Sequence, residues 1–151
     1  MPKTLTMTES NVYLITRPFY QNTPLWISSQ DGTPLSIIPN APPKMKGLYS
    51  GQKDLVYILS SGLLHSYSST LGFNLLLSFC SIEPCPLLQE MILIQNGLIF
   101  KVPSGVQQGI WKTNGENGIG TSIYCNTSIC QNSISLHYFN NMVEIIYLFS
   151  L

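Results

Sequence analysis

The stretch from Trp111 to Ser122, Trp-Lys-Thr-Asn-Gly-Glu-Asn-Gly-Ile-Gly-Thr-Ser, gathers the residue types best suited to meeting a ligand. Sugars are held by amides, hydroxyls and backbone N–H groups, with an aromatic plate beneath the apolar face of the ring. Asn114, Asn117, Thr121 and Ser122 supply hydrogen bonds, the glycines expose backbone N–H groups, and Trp111 supplies a plate. Lys112 suits the carboxylate of an acidic sugar, where a charge-assisted hydrogen bond is stronger than a neutral one. The plain alternative is a connecting loop with Trp111 in the core. Four cysteines form two pairs of equal spacing, Cys80 with Cys85 and Cys125 with Cys130. Three chemistries fit them: a tetrahedral zinc site, for which this spacing is at the wide end; a disulfide framework, which needs an oxidising compartment; and buried thiols acting as small hydrophobes. Asn126-Thr127-Ser128 is an acceptor for N-glycosylation in a secreted chain and a polar hairpin turn otherwise. The two histidines, His65 and His137, fall in strand-like runs, and Asp31 and Asp54 are the only aspartates. No GxSxG, HExxH or phosphate-cradling glycine loop accompanies them. The expectation is a protein that is not an enzyme and uses no cofactor and no metal.

The elements that must position these residues are strands. The chain has one alanine and few lysines and glutamates, so it lacks the material of a helix surface. Ser, Thr, Asn and Gln fill 47 of the 151 positions, and leucine and isoleucine fill 36, which suits strands and turns. One all-β domain with a sizeable core follows. Charged residues are 9% of the chain against roughly 25% in ordinary soluble domains. With zero net charge and no basic cluster, nucleic-acid binding is excluded. No apolar run approaches 18 residues and the first ten lack the core of a signal peptide, so neither membrane insertion nor a leader is expected. A surface of hydroxyls and amides fits work outside the cell among neutral sugars and proteins, or a protomer that hides apolar faces in an oligomer.

Along the chain, Asn11–Thr16 alternates as one strand, and residues 1–22 form a neck ahead of a head at 23–151. Pro24, Pro34, Pro39, Pro42 and Pro43 argue for an ordered surface wrap rather than a central strand. Lys53–Phe73 holds two apolar runs about Ser60-Ser61-Gly62, a hairpin in which Leu55, Tyr57 and Leu59 share one face and Val56 and Ile58 the other. Phe73–Phe79 is apolar on both faces and predicts a buried strand. Glu90–Val102 predicts a second hairpin turning at Asn96-Gly97. Thr121–Tyr138 predicts two strands joined near Asn126-Thr127. Met142–Leu151 closes with Val143, Ile145, Tyr147 and Phe149 on one face, a central strand or an interface. No internal repeat stands out. Eight to ten strands in an antiparallel two-sheet β-sandwich is the expected architecture.

These landmarks, in this order, resemble the adenovirus fibre head: Thr23-Pro24-Leu25-Trp26, the proline-rich wrap from Pro34 to Pro43, the hairpin at 54–70, the Asn-Gly hairpin from Met91 to Phe100, Trp111, and the apolar closing strand Val143–Phe149. The chain is short for such a head and lacks the usual polar ending, which makes it look more like the siadenovirus heads, such as that of the turkey virus, some of which recognise sialylated sugars. The resemblance implies a homotrimeric attachment head at the virion surface that binds a host-cell receptor, with a sialylated glycan as ligand. Residues 1–22 would be the end of the shaft, and Val143, Ile145, Tyr147 and Phe149 would form the trimer interface. Because such fibres assemble inside the cell, it also implies reduced thiols at all four cysteines. Other readings are a phage or bacterial fibre tip, a C1q-like or tumour-necrosis-factor-like trimer, and a small zinc-binding or disulfide-stapled module.

Overall fold

The computed structural model describes residues 4–116 and 118–147, with the side chains of Ile119, Ser133, Ile134 and Tyr147 left aside. Within them the chain is all-β, as its composition requires, and folds as a series of antiparallel meanders. The first sheet takes β1 (Leu5–Met7), β2 (Asn11–Ile15), β3 (Leu25–Ser29) and β4 (Ser36–Ile38) in sequence order. The second takes β5 (Met45–Ser50), β6 (Val56–Ser60), β7 (Leu63–Ser68) and β8 (Gly72–Ser78). The third takes β9 (Gln89–Ile94), β10 (Gly97–Val102), β11 (Gly109–Thr113) and β12 (Thr121–Cys125). After a single helical turn, α1 (Ser128–Gln131), a ribbon of β13 (Ser133–Phe139) and β14 (Met142–Tyr147) follows. Face-to-face packing of antiparallel sheets is as expected, but the layers number four.

Local chemistry fixes the turns. Ser60 pairs with Leu63, and the two residues between them, Ser61 and Gly62, have φ of 38° and 82°, the doubly left-handed geometry of a tight hairpin. Asn140 and Asn141, at 49° and 61°, do the same between β13 and β14, using the tolerance of asparagine for that region. The Asn96-Gly97 turn expected from sequence is displaced by one residue. Gly97 pairs with Ile94, so Gln95 and Asn96 make the turn and Gly97 opens β10. The glycine is there for close approach, because a Cβ would collide with the Thr113 carbonyl oxygen on β11.

Alternation along each strand sorts side chains between layers. Tyr13, Ile15 and Leu25 of the first sheet meet Met45, Leu48, Val56 and Ile58 of the second. The other face of β6 sends Tyr57 and Leu59 into a core with Leu98, Phe100 and Val102 of the third sheet. The far face of the third sheet sends Ile99 and Ile110 against Leu136, with Val143 and Ile145 packed beside them. Strand β6 is therefore buried along its whole length, as is β10. The two-faced hydrophobicity of Val56–Leu59 follows from a sheet covered on both sides.

The sheets repeat one another in register. Leu5, Leu14, Trp26 and Ile37 form a cross-strand row in the first sheet. Leu48, Ile58, His65 and Leu75 form the same row in the second. Phe100, Trp111 and Ile123 continue it in the third. The internal repeat that the sequence does not announce is thus a repeat of structure. First strands adjoin at two of the three junctions, β1 beside β5 and β9 beside β13. A cleft of about 710 Å³ lies among β1, β5 and β9, lined by Thr6, Ser50, Tyr49 and Glu90.

Four further expectations are corrected. The proline-rich stretch contains two strands, and β3 is central, flanked by β2 and β4. Its prolines stand just outside strands, Pro24 before β3 and Pro34 and Pro39 at the ends of β4, where no ladder N–H is needed. Strand β8 lies at the edge of its sheet and is buried only in part, for Leu76, Leu77 and Phe79 join the core while Leu75 is 45% exposed. The Asn126-Thr127 link leads into α1 rather than forming a hairpin turn, for β12 pairs with β11 and β13 with β14. The cysteines are neither free thiols nor zinc ligands. Cys80 is bonded to Cys85 and Cys125 to Cys130, with Cα atoms 5.7 and 5.9 Å apart. Five-residue spacing inside compact loops brings each pair within bridging distance. No helix among the described residues is long and apolar enough to cross a membrane.

Candidate functional site

Alternation on β11 sends Trp111 and Lys112 to opposite faces of the third sheet. Trp111 turns back toward the second sheet, half-buried against the Tyr57–Phe100 core, and its Nε1–H donates to the Gln107 carbonyl at 2.8 Å. Lys112, paired with Ile99 on β10 and Ser122 on β12, turns toward the ribbon. There the ribbon leaves a cleft of about 500 Å³, whose walls include Gln95 and Asn96 of the β9–β10 turn, Lys112, Tyr124, Tyr138 and Asn141. Lys112 is exposed, and its ammonium makes no ion pair or hydrogen bond with the described residues. Tyr124 is 45% exposed beside it. The Tyr138 hydroxyl accepts from the Gln95 N–H at 3.2 Å and donates to Asn141 Oδ1 at 3.0 Å, which fixes the ring across the cleft mouth. One cation, two phenol rings and three amides therefore face a shared space, a set suited to a polar ligand with apolar ring faces and a negative charge.

The residues expected from sequence are divided by this geometry. Lys112 lines the cleft, with Ser122 its direct neighbour across the strands. Asn114 and Thr121 hold their own loop together. Asn114 Oδ1 accepts the Glu116 N–H at 2.9 Å, and Thr121 Oγ1 donates to the Glu116 carbonyl at 2.7 Å while lying 2.6 Å from Thr113 Oγ1. Trp111 serves the core, and Asn117 lies outside the described residues. The sequence reading missed Tyr124, Tyr138, Gln95 and Asn141, although the Asn140-Asn141 pair next to Tyr138 is a hairpin signal in its own right. Of the residues assigned to a trimer interface, Val143 and Ile145 pack inward on the third sheet, while Phe149 and the Tyr147 side chain fall outside what is described.

The other titratable groups lie elsewhere. Asp54, in the β5–β6 turn, accepts from Tyr13 Oη at 3.1 Å, Ser69 Oγ at 3.0 Å, Thr8 Oγ1 at 3.2 Å and the Asn11 amide. Partial burial pushes its carboxyl up, but these hydrogen bonds outweigh burial and hold it below the usual carboxylate range. Burial and the facing carboxylate push the Tyr13 phenol up. The network ties the first sheet to the second. His65 sits in the cross-strand row of the second sheet, with a buried Nδ1 that finds no hydrogen-bond partner among the described residues, and burial pushes its pKa down. His137 is exposed on the ribbon, its Nε2 3.2 Å from Ser135 Oγ, and it stands opposite Glu144 in the strand register. Among the described residues no three of His, Cys, Asp and Glu come together as metal ligands.

No protein-family model matches the chain, and no curated protein matches it.

Proposed function

We propose that this chain is a non-enzymatic binding module that takes an acidic glycan in the cleft between the third sheet and the closing ribbon. The observation that carries this reading is Lys112, an unpaired cation among the described residues, set in a cleft with Tyr124, Tyr138 and a ring of amides. A saccharide carboxylate would meet the ammonium, its hydroxyls the amides of Gln95, Asn96 and Asn141, and its apolar ring face a tyrosine. A sialylated glycan on a cell-surface receptor is the ligand class that fits, and a virion-borne attachment head is the setting the fibre-head likeness implies. The two disulfides fit an oxidising compartment and a cell-surface setting, and depart from the reduced thiols that the fibre-head likeness implies. Titration with sialyllactose and with lactose, followed by calorimetry, tests this reading. Binding of the sialylated sugar alone is expected, weakened roughly 10- to 100-fold in Lys112→Ala, as loss of one charge-assisted hydrogen bond requires. Equal affinity for both sugars, or an unaffected Lys112→Ala variant, removes the reading.

A further inference from the structure

The two ends of the sheet stack are complementary. At each internal junction, the trailing face of one sheet covers the leading face of the next, and the leading face always carries the same cross-strand row. In the second sheet that row contains Leu48 and Ile58, both fully buried beneath the first sheet. In the third it contains Phe100, fully buried beneath the second. In the first sheet the ends of the same row stand open, with Leu5 and Ile37 each 55% exposed and neighbouring Met7 56% exposed, while Leu14 and Trp26 between them are half-buried. The trailing face of the ribbon is open too. Leu136, Val143 and Ile145 point to the third core, so strict alternation turns Phe139, Met142 and Ile146 outward, with the exposed cross-strand pair His137 and Glu144 between them, and Phe139 and Met142 are 73% and 70% exposed.

We infer that the ribbon of one copy docks on the open face of the first sheet of a second copy, repeating between chains the junction made three times within one. Since first strands adjoin at two of the three internal junctions, β13 lies beside the partner's β1 and β14 over its β2, so that Phe139, Met142 and Ile146 cover Leu5, Met7 and Leu14. Exposed apolar side chains gathered on one face mark interaction surfaces, and on the ribbon they flank the His137–Glu144 pair, which stays at the seam. The contact is heterologous, made by two different patches, unlike the self-complementary patch of a two-fold dimer.

This asymmetry sets the test. Native mass spectrometry and light scattering of the purified chain at micromolar concentration are expected to show species of at least twice its 16.8 kDa mass. Leu5→Glu alters one face and Phe139→Glu the other, and each variant alone is expected to be a monomer. Mixed, they retain one intact pair of faces and should form a 1:1 complex that grows no further. Met7→Glu and Met142→Glu repeat the experiment at neighbouring exposed positions, and circular dichroism with a melting curve certifies that each variant is folded. A monomeric wild-type chain, a folded single-face variant that still self-associates, or a mixture that stays monomeric overturns the inference.

Discussion

At the scale of single residues, Asp54 carries the heaviest hydrogen-bonding role. Its carboxylate gathers donors from the β1–β2 turn, from β2 and from the β7–β8 turn, so one side chain joins two sheets. The sequence marks it only as one of two aspartates, because its partners lie 15 to 46 residues away and no local pattern encodes them. The folded carboxyl titrates below its ordinary value, so the unfolded chain binds the proton more readily. The stabilisation is therefore complete above the unfolded carboxylate pKa of about 4 and fades as pH falls through the lower folded value. Asp54→Ala should lower stability by about 1–2 kcal/mol at neutral pH, a figure reduced from the full value of charged hydrogen bonds because the group is partly exposed. Urea melts of both proteins at pH 7 and pH 3 provide the check, with the gap between them narrowing in acid. A gap independent of pH would assign the loss to packing instead of charge. Lys112, by contrast, was legible from sequence, since its type and its place before a glycine-rich segment both point outward.

At the scale of elements, the hairpins were the most legible features and their details the least. Ser61-Gly62 was found because glycine and serine beside alternating apolar residues mark a turn. Asn96-Gly97 was placed one residue off because the same glycine answers a different need, the passage of β11 close against β10. The cysteine loops show the limit of spacing arguments. Five-residue separation admits metal, thiol or disulfide, and only the fold of the loop decides. Each bridge closes a short loop that packs on something: a Cβ at Gly62 would lie 2.8 Å from Cys85 Sγ, and Cys130 is buried in the third core. Closing a loop of this length restricts the unfolded chain by about 2 kcal/mol. Reduction by a phosphine at neutral pH is accordingly expected to lower the unfolding free energy by about 4 kcal/mol for the two bridges together. Cys80 and Cys85 replaced by serine should give about half of that in a denaturant melt. An unchanged melt after complete reduction, confirmed by a thiol count, would mean that the loops are held by packing alone.

At the scale of the whole molecule, the all-β class was readable from composition, whereas the layered repeat was not. Its register position is filled by Trp26, His65 and Trp111, separated by 39 and 46 residues, so neither identity nor a fixed period advertises it. A serial stack has a consequence for the distribution of stability. Every internal sheet is covered on both faces by strands from different parts of the chain, so its opening requires its neighbours to part, while edge strands can fray alone. Amide exchange should therefore be slowest in β6 and β10, both buried end to end, and faster by orders of magnitude in β4 and β8, which pair on one side only. Filling the third core less well should spread beyond the ribbon: Ile99→Ala, at the junction of β10 with Leu136, is expected to cost about 2–5 kcal/mol and to accelerate exchange in β13 and β14 together. Loss of protection confined to β10, with β13 and β14 unmoved, would show that the ribbon holds without the core beneath it and would break the account of the stack as a chain of mutually covering faces.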